Sequence, residues 1–223
     1  MATSHLLYLH GFGSSPQSTK ARLMARQVAE RYPGVTWWCP QLPPSPREAM
    51  ALVTQGVATW PREHMAVVGS SLGGFYATWV AEQTGCRAAL LNPAVQPARD
   101  LASRVGEHAS WHDPQTRFVF RAEYVDELRA FTLPAITHPE RSSVAGPPQD
   151  ASAPLGGSAA HEVASVGARY YALIAKGDEV LDWREMTGRY PGARIRLLEG
   201  SDHAISEFPQ YLDEVLDFLD LEA

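Results

Sequence analysis

Two cysteines in 223 residues cannot make a disulfide framework. Cys39 and Cys86 stand alone, without a Cys-x-x-Cys neighbour, so no dithiol or zinc motif is spelled out. Buried free thiols are the expectation. Long apolar runs are also missing. No stretch approaches the ~18 consecutive apolar residues of a membrane helix, so no membrane span is expected. The opening residues, MATSHLLYLHGF, lack a basic start and a cleavable apolar segment, so no secretory signal is read and a cytoplasmic location is expected. Positive charge is in deficit. With 19 Lys and Arg against 25 Asp and Glu the net charge is −6, which argues against a nucleic-acid partner. No segment repeats. What is left is the composition of a globular chain, of a length that suits one domain, 1–223, with a full-sized core.

What the chain does have is concentrated in Met65–Trp79, MAVVGSSLGGFYATW. Met65–Val68 reads as a buried strand, and a helical pattern starts after Ser71. Between them, Gly69-Ser70-Ser71-Leu72-Gly73 spells Gly-x-Ser-x-Gly. Alone, that pattern marks any glycine-rich turn. Between a strand and a helix it describes a nucleophile elbow. Such a turn strains its middle residue and projects that side chain from the sheet edge. Gly69 and Gly73 let the two backbones pass closely. The following helix aims its N-terminal N–H groups at the same point. Ser71 is therefore the candidate nucleophile. Ser70 lacks a glycine two residues before it.

Elsewhere the chain alternates. Leu6–Leu9, Val35–Cys39, Arg87–Leu91, Tyr170–Ala175 and Arg194–Leu198 read as further strands. A helix is predicted from Ser15 as N-cap and Pro16 as first residue, ending before Pro33-Gly34. Others are predicted over Arg47–Ala58, from the elbow to Thr84 with Gly85 as C-cap, over Arg184–Arg189, and from Phe208 to Leu219. Strand-helix alternation means an α/β protein whose parallel sheet is covered on both faces. Residues from Gln96 to Pro139 are less regular, with helical patches at Ala98–Val105 and Tyr124–Ala130. Residues 141–160, RSSVAGPPQDASAPLGGSAA, have too few large apolar side chains for core and read as a flexible insertion.

Acyl transfer needs a nucleophile, a base, an acid to orient the base, and donors for an oxyanion. Two strands after the elbow each end in a missing group: Asp178 in Lys-Gly-Asp and His203 in Gly-Ser-Asp-His. Functional groups of parallel sheets collect at the carboxyl ends of strands, so both loops can converge on Ser71. The order Ser, Asp, His is that of α/β hydrolases. His203 would take and return the Ser71 proton, and Asp178 would hold the imidazole tautomer. The first strand ends in His10-Gly11-Phe12-Gly13, a turn that offers the Phe12 N–H to an oxyanion beside the Leu72 N–H. His10 and Gly11 are read as structural parts of that turn. Asp178 could instead merely close a turn, Asp182 is the substitute acid, and Asp202 is disfavoured by its adjacency to His203. His108 and His112 are four apart, but with no third ligand a solvated pair is expected and no metal. Lys176 and Arg184 could meet an anionic substrate group, although exposed basic residues are the ordinary case. Tyr76 and Trp79 sit at helical spacing and are expected in the core.

These stretches resemble the YqiA-like family of small bacterial esterases within the α/β-hydrolase superfamily. The resemblance is carried by YLHGFGSSPQSTKA (8–21), PQLPPSP (40–46), GSSLGGFYATWVAE (69–82), LNPAV (91–95), KGDEVLDW (176–183) and EGSDHAISEF (199–208). It implies a hydrolase with little or no cap, acting on short-to-medium acyl esters or thioesters, with Ser71 as nucleophile, Asp178 as acid and His203 as base. The segment 141–160 departs from the family pattern. The expected architecture is six parallel strands which, numbered along this chain, lie in the order 2-1-3-4-5-6. The expected reaction is serine-ester hydrolysis without cofactor on a small-molecule ester or thioester. The alternatives are an acyl-thioesterase or acyltransferase with the same triad, and a non-catalytic binding module on the same fold.

Overall fold

The computed structural model describes residues 1–110, 113, 115–134, 136 and 166–222. Strand β1 (His5–Leu9) is buried from Leu6 to Leu9, which requires cover on both faces of the sheet. Its alternate residues enter two different cores. Leu7 and Leu9 pack on one face, and Leu6 and Tyr8 on the other. Helix α1 (Thr19–Arg31) covers the second face with Ala21, Met24 and Val28. It starts later than the Ser15-Pro16 pair predicts. Ser15 is engaged in a turn, accepting from Gln17 N–H at its hydroxyl (3.1 Å) and from Ser18 N–H at its carbonyl (3.0 Å). Ser18 becomes the N-cap, accepting from Ala21 N–H at 3.3 Å.

Strand β2 (Thr36–Trp38) and helix α2 (Pro46–Gly56) follow, the helix capped by Ser45. Strand β3 (Met65–Ser70) is wholly buried and runs straight into helix α3 (Leu72–Thr84), which Gly85 stops at φ 80. Helix α3 is apolar nearly all round, as a helix enclosed by sheet and neighbours must be. Strand β4 (Arg87–Leu91) and the short helix α4 (Pro97–Asp100) come next. After them the chain makes a hairpin that its pattern did not predict. Strands β5 (Gly106–Ala109) and β6 (Arg117–Phe120) pair antiparallel, apart from the main sheet. Helix α5 (Ala122–Ala130) leads away from it. Strand β7 (Tyr170–Ala175), helix α6 (Trp183–Arg189), strand β8 (Arg194–Leu198) and helix α7 (Leu212–Leu219) complete the alternation. The 141–160 segment lies outside the described residues.

The main sheet has the order β2-β1-β3-β4-β7-β8, and every neighbouring pair is parallel. Counting its six strands along the chain, this is the expected 2-1-3-4-5-6. Helices α2, α3, α5 and α6 cover one face, and α1 and α7 the other. The register aligns the carboxyl ends. Leu9 pairs with Gly69, Ser70 with Leu91, Leu91 with Leu173 and Ala175 with Leu198. The residues that follow therefore leave the sheet along one edge: His10, Ser71, Asn92, Lys176 and Glu199. No helix among the described residues is long and apolar enough to cross a membrane.

Candidate active site

Ser71 occupies the turn between β3 and α3 with φ 55 and ψ −122, a region that non-glycine residues rarely enter. The surroundings enforce it. Ser71 N–H donates to the Leu91 carbonyl at 3.0 Å, and its own carbonyl accepts from Gly74 (2.8 Å) and Ala94 (3.0 Å) N–H groups. The strand and the helix approach so closely that a Cβ on Gly69 would stand 2.2 Å from the Gly73 carbonyl oxygen. A Cβ on Gly73 would stand 2.0 Å from the Leu9 carbonyl oxygen. No side chain fits at either place.

The β7 and β8 loops bring two further groups to this turn. His203 Nε2 lies 2.9 Å from Ser71 Oγ, and His203 Nδ1 lies 2.8 Å from Asp178 Oδ2. A carboxylate only accepts, so Nδ1 carries the proton and donates to it. Nε2 is then the acceptor for the Ser71 hydroxyl. The Asp178 side chain has no exposed surface, and its Oδ1 accepts from the N–H groups of Val180 and Leu181, both at 2.8 Å. It closes a turn and holds the imidazole at once. Asp182 is placed differently, as the N-cap of α6, accepting from Arg184 N–H at 2.9 Å. Asp202 bonds Ser206 through its N–H (3.0 Å) and hydroxyl (2.6 Å), and these bonds hold its carboxyl below the usual range.

The β1 loop passes beside the serine. A Cβ on Gly11 would lie 3.2 Å from Ser71 Cβ and 3.6 Å from Ser71 Oγ. Phe12 follows directly in the chain. Leu72 N–H is the first of α3, and the first N–H groups of a helix have no acceptor within it. His10 is 3% exposed, and its Nε2 accepts from Leu42 N–H at 3.0 Å. That leaves the proton on Nδ1, which donates to the Gly11 carbonyl at 3.0 Å. The imidazole thus ties the β1 loop to residues 41–42.

Other groups at this edge are engaged elsewhere. Lys176 Nζ bonds both Glu199 oxygens (2.7 and 2.9 Å), and Arg184 lies over the Trp183 ring at 4.6 Å. Tyr76 is buried, and Trp79 packs edge-on against Phe131 with centroids 5.6 Å apart. His108 stacks on Phe118 (5.5 Å), and His112 lies outside the described residues. Among the described residues no group of three or more His, Cys, Asp or Glu is placed to hold a metal ion. Both cysteines are free, and burial pushes their thiols up, Cys39 to about 12 and Cys86 to about 11. Neither is a thiolate nucleophile at neutral pH.

Sequence reasoning missed three contributors. The hairpin packs on the β1 loop: Phe118, Phe120 and His108 all meet Phe12 edge-on, at 5.4, 5.2 and 5.3 Å. Lys20 of α1 donates to the Ala204 carbonyl, next to His203. Burial pushes its ammonium down to about 8, while the Asp202 and Asp178 carboxylates pull the other way. Asn92, present in LNPAV but given no role there, is fully buried and bonded to the His203 turn.

Six parallel strands in this order, helices on both faces and a serine elbow after the third strand define the α/β-hydrolase fold. A protein of Agrobacterium vitis S4 put forward as a hydrolase matches with a TM-score of 0.63 at 15% identity, covering 97% of this chain and 88% of that one. Mouse alpha/beta hydrolase domain-containing protein 10 matches at 0.60 and 15%, covering 97% and 91%. Est1E from Butyrivibrio proteoclasticus, in a structure with ferulic acid bound, matches at 0.60 and 11%, covering 98% and 87%. The chain belongs to UPF0227, an uncharacterised protein family, whose model matches residues 5–220.

Proposed function

We propose that this protein is a serine carboxylesterase, built on one α/β-hydrolase domain, which cleaves short-to-medium acyl esters through an acyl-Ser71 intermediate. The observation that carries this reading is the hydrogen-bonded chain from Ser71 Oγ through His203 to Asp178, at 2.9 and 2.8 Å. The resemblance of six stretches to the YqiA-like esterases supports it. So does a fold shared with Est1E, whose structure holds ferulic acid.

The chemistry follows from the groups. Ser71 Oγ attacks the ester carbonyl carbon as His203 Nε2 takes its proton. Asp178 stabilises the imidazolium and keeps Nδ1 protonated. Negative charge moves to the carbonyl oxygen, and the N–H groups of Leu72 and Phe12 receive it. Each such donor contributes about 3–4 kcal/mol to transition-state stabilisation. The tetrahedral intermediate collapses, the alcohol leaves with the proton from His203, and an acyl-Ser71 ester remains. Water, deprotonated by His203, attacks that ester, and His203 returns the proton to Ser71 Oγ as the acid is released. Every step uses protein groups and water alone.

The test is turnover of activated esters of graded acyl length. Ser71→Ala should lower kcat by up to about 10⁶-fold. A fluorophosphonate probe should label Ser71 and leave Ser70 unmodified, read by peptide mass spectrometry. Near-normal turnover by the alanine variant overturns the proposal. Acyl transfer with the same triad would show as ester products when alcohol or thiol competes with water.

A further inference from the structure

Asn92 follows directly on β4, with φ 43 and no exposed surface. Its side-chain amide has three partners, all from other loops of the site edge. Nδ2 donates to the carbonyls of Asp202 and His203, each at 3.1 Å. Oδ1 accepts from Ala175 N–H at 2.8 Å, at the last residue of β7. Asp178 stands on the loop that begins there. The Asn92 backbone N–H donates to the Leu173 carbonyl at 2.9 Å, extending the β4–β7 pairing by one residue. One side chain therefore grips the turn that carries the base with both its donors. With its acceptor it grips the strand that carries the acid.

The turn needs such a hold. Ser201 and Ile205, on either side of His203, have φ of 68 and 50, the left-handed region that non-glycine residues seldom adopt. A strained turn keeps its shape only when its surroundings impose it. Besides the Ser71 and Asp178 bonds of the imidazole, other ties reach it. Lys20 donates to the Ala204 carbonyl, and Glu179 accepts from His203 N–H at 3.0 Å, the latter where water competes for the same groups. Asn92 itself has no exposed surface, and its bond from Ala175 N–H is buried. Asparagine also suits the place chemically. It offers two donors and an acceptor in one short planar group and tolerates a positive φ. Aspartate has no donor for the two carbonyls.

We propose that Asn92 is a positioning residue for the His203–Asp178 pair. It sets the imidazole relative to Ser71 and fixes the separation of the loops that bear the acid and the base. The kinetic consequence rests on the esterase reading, whereas a spectroscopic consequence does not. Asn92→Gly keeps access to the positive φ and removes only the amide. Asn92→Ser keeps one hydroxyl, too short to span both carbonyls. In either variant kcat should fall about 10–100-fold with KM within about twofold of wild type, because small misplacements of reacting groups act on the chemical step. The downfield Nδ1 proton resonance of His203, assigned by its absence in His203→Gln, should weaken or vanish in the proton NMR spectrum. Thermal melts confirm that each variant is folded at the assay temperature. A lowered melting temperature with wild-type kcat and an unchanged resonance overturns the proposal and leaves Asn92 a packing residue. Absence of Ser71-dependent turnover in the wild type overturns the esterase reading instead, and the resonance alone then decides for or against Asn92.

Discussion

Three aspartates crowd the site edge, and their hydrogen bonds separate them. Asp178 has no exposed side-chain surface and bonds His203 at 2.8 Å. Asp182 caps α6, and Asp202 closes the turn to Ser206. Replacing Asp178 by asparagine removes the acceptor that keeps Nδ1 protonated. Asp178→Asn should therefore lower kcat by about 10⁴-fold while the protein stays folded. Asp182→Ala should cost about 1 kcal/mol of stability through the lost cap and leave kcat close to wild type. Steady-state kinetics and urea unfolding on the same two variants check both outcomes. The place of Asp178 at the sheet edge was legible because it stands in the loop that follows a strand, three residues past its end. Asn92 was not. Its partners lie 83, 110 and 111 residues away in the chain, and nothing local marks them.

Among the elements, α3 shows why the elbow has glycines where it does. The helix starts against the β1 backbone, within van der Waals reach of Leu9 and His10 carbonyl groups. The pattern Gly-x-Ser-x-Gly records that contact, so this element could be read from sequence. Helix α6 has a glycine of another kind. Gly188 is exposed, and a Cβ there would meet nothing within 4 Å. Gly188→Ala should raise stability by about 0.5 kcal/mol through helix propensity alone, read as a higher urea midpoint with unchanged kcat. The β5–β6 hairpin escaped the sequence reading for a physical reason. Its strands have four residues each, too short for a period-two pattern to stand out. Phe118 and Phe120 face Phe12, and Val119 between them is 51% exposed, which is the alternation of a strand. The helical patch expected at Ala98–Val105 is instead α4 followed by a separate turn at Ala102–Arg104.

At the scale of the molecule, a doubly covered sheet makes two cores, and each holds one cysteine near it. Cys86 is 3% exposed in the first, and Cys39 packs against the second. Burial favours the neutral thiol, so the folded pKa values, about 11 and about 12, stand above the ordinary thiol value. The stability that this contributes is complete below the ordinary value and is lost as pH rises through the folded ones. At pH 8, below that window, native protein should resist alkylation by iodoacetamide over a time in which urea-unfolded protein is labelled at both cysteines. Rapid labelling of Cys86 in the native state would contradict its place in the core. The same enclosure explains the site. Two cores hold six strands in fixed register, so the loops at their carboxyl ends arrive with little freedom.

The sequence by itself determined the alternation of the main-sheet strands with their helices, and the strand ends at which Ser71, Asp178 and His203 stand. Apolar periodicity, turn residues and glycine spacing are local properties, and the chain displays them directly. Only the tertiary structure decided the distances. Ser71 and His203 are 132 residues apart in the chain and 2.9 Å apart in space. That meeting depends on the register of parallel strands, on a strained turn at Ser201–Ile205, and on one buried amide at Asn92 that joins them. Such contacts are made between segments whose sequences carry no mark of each other.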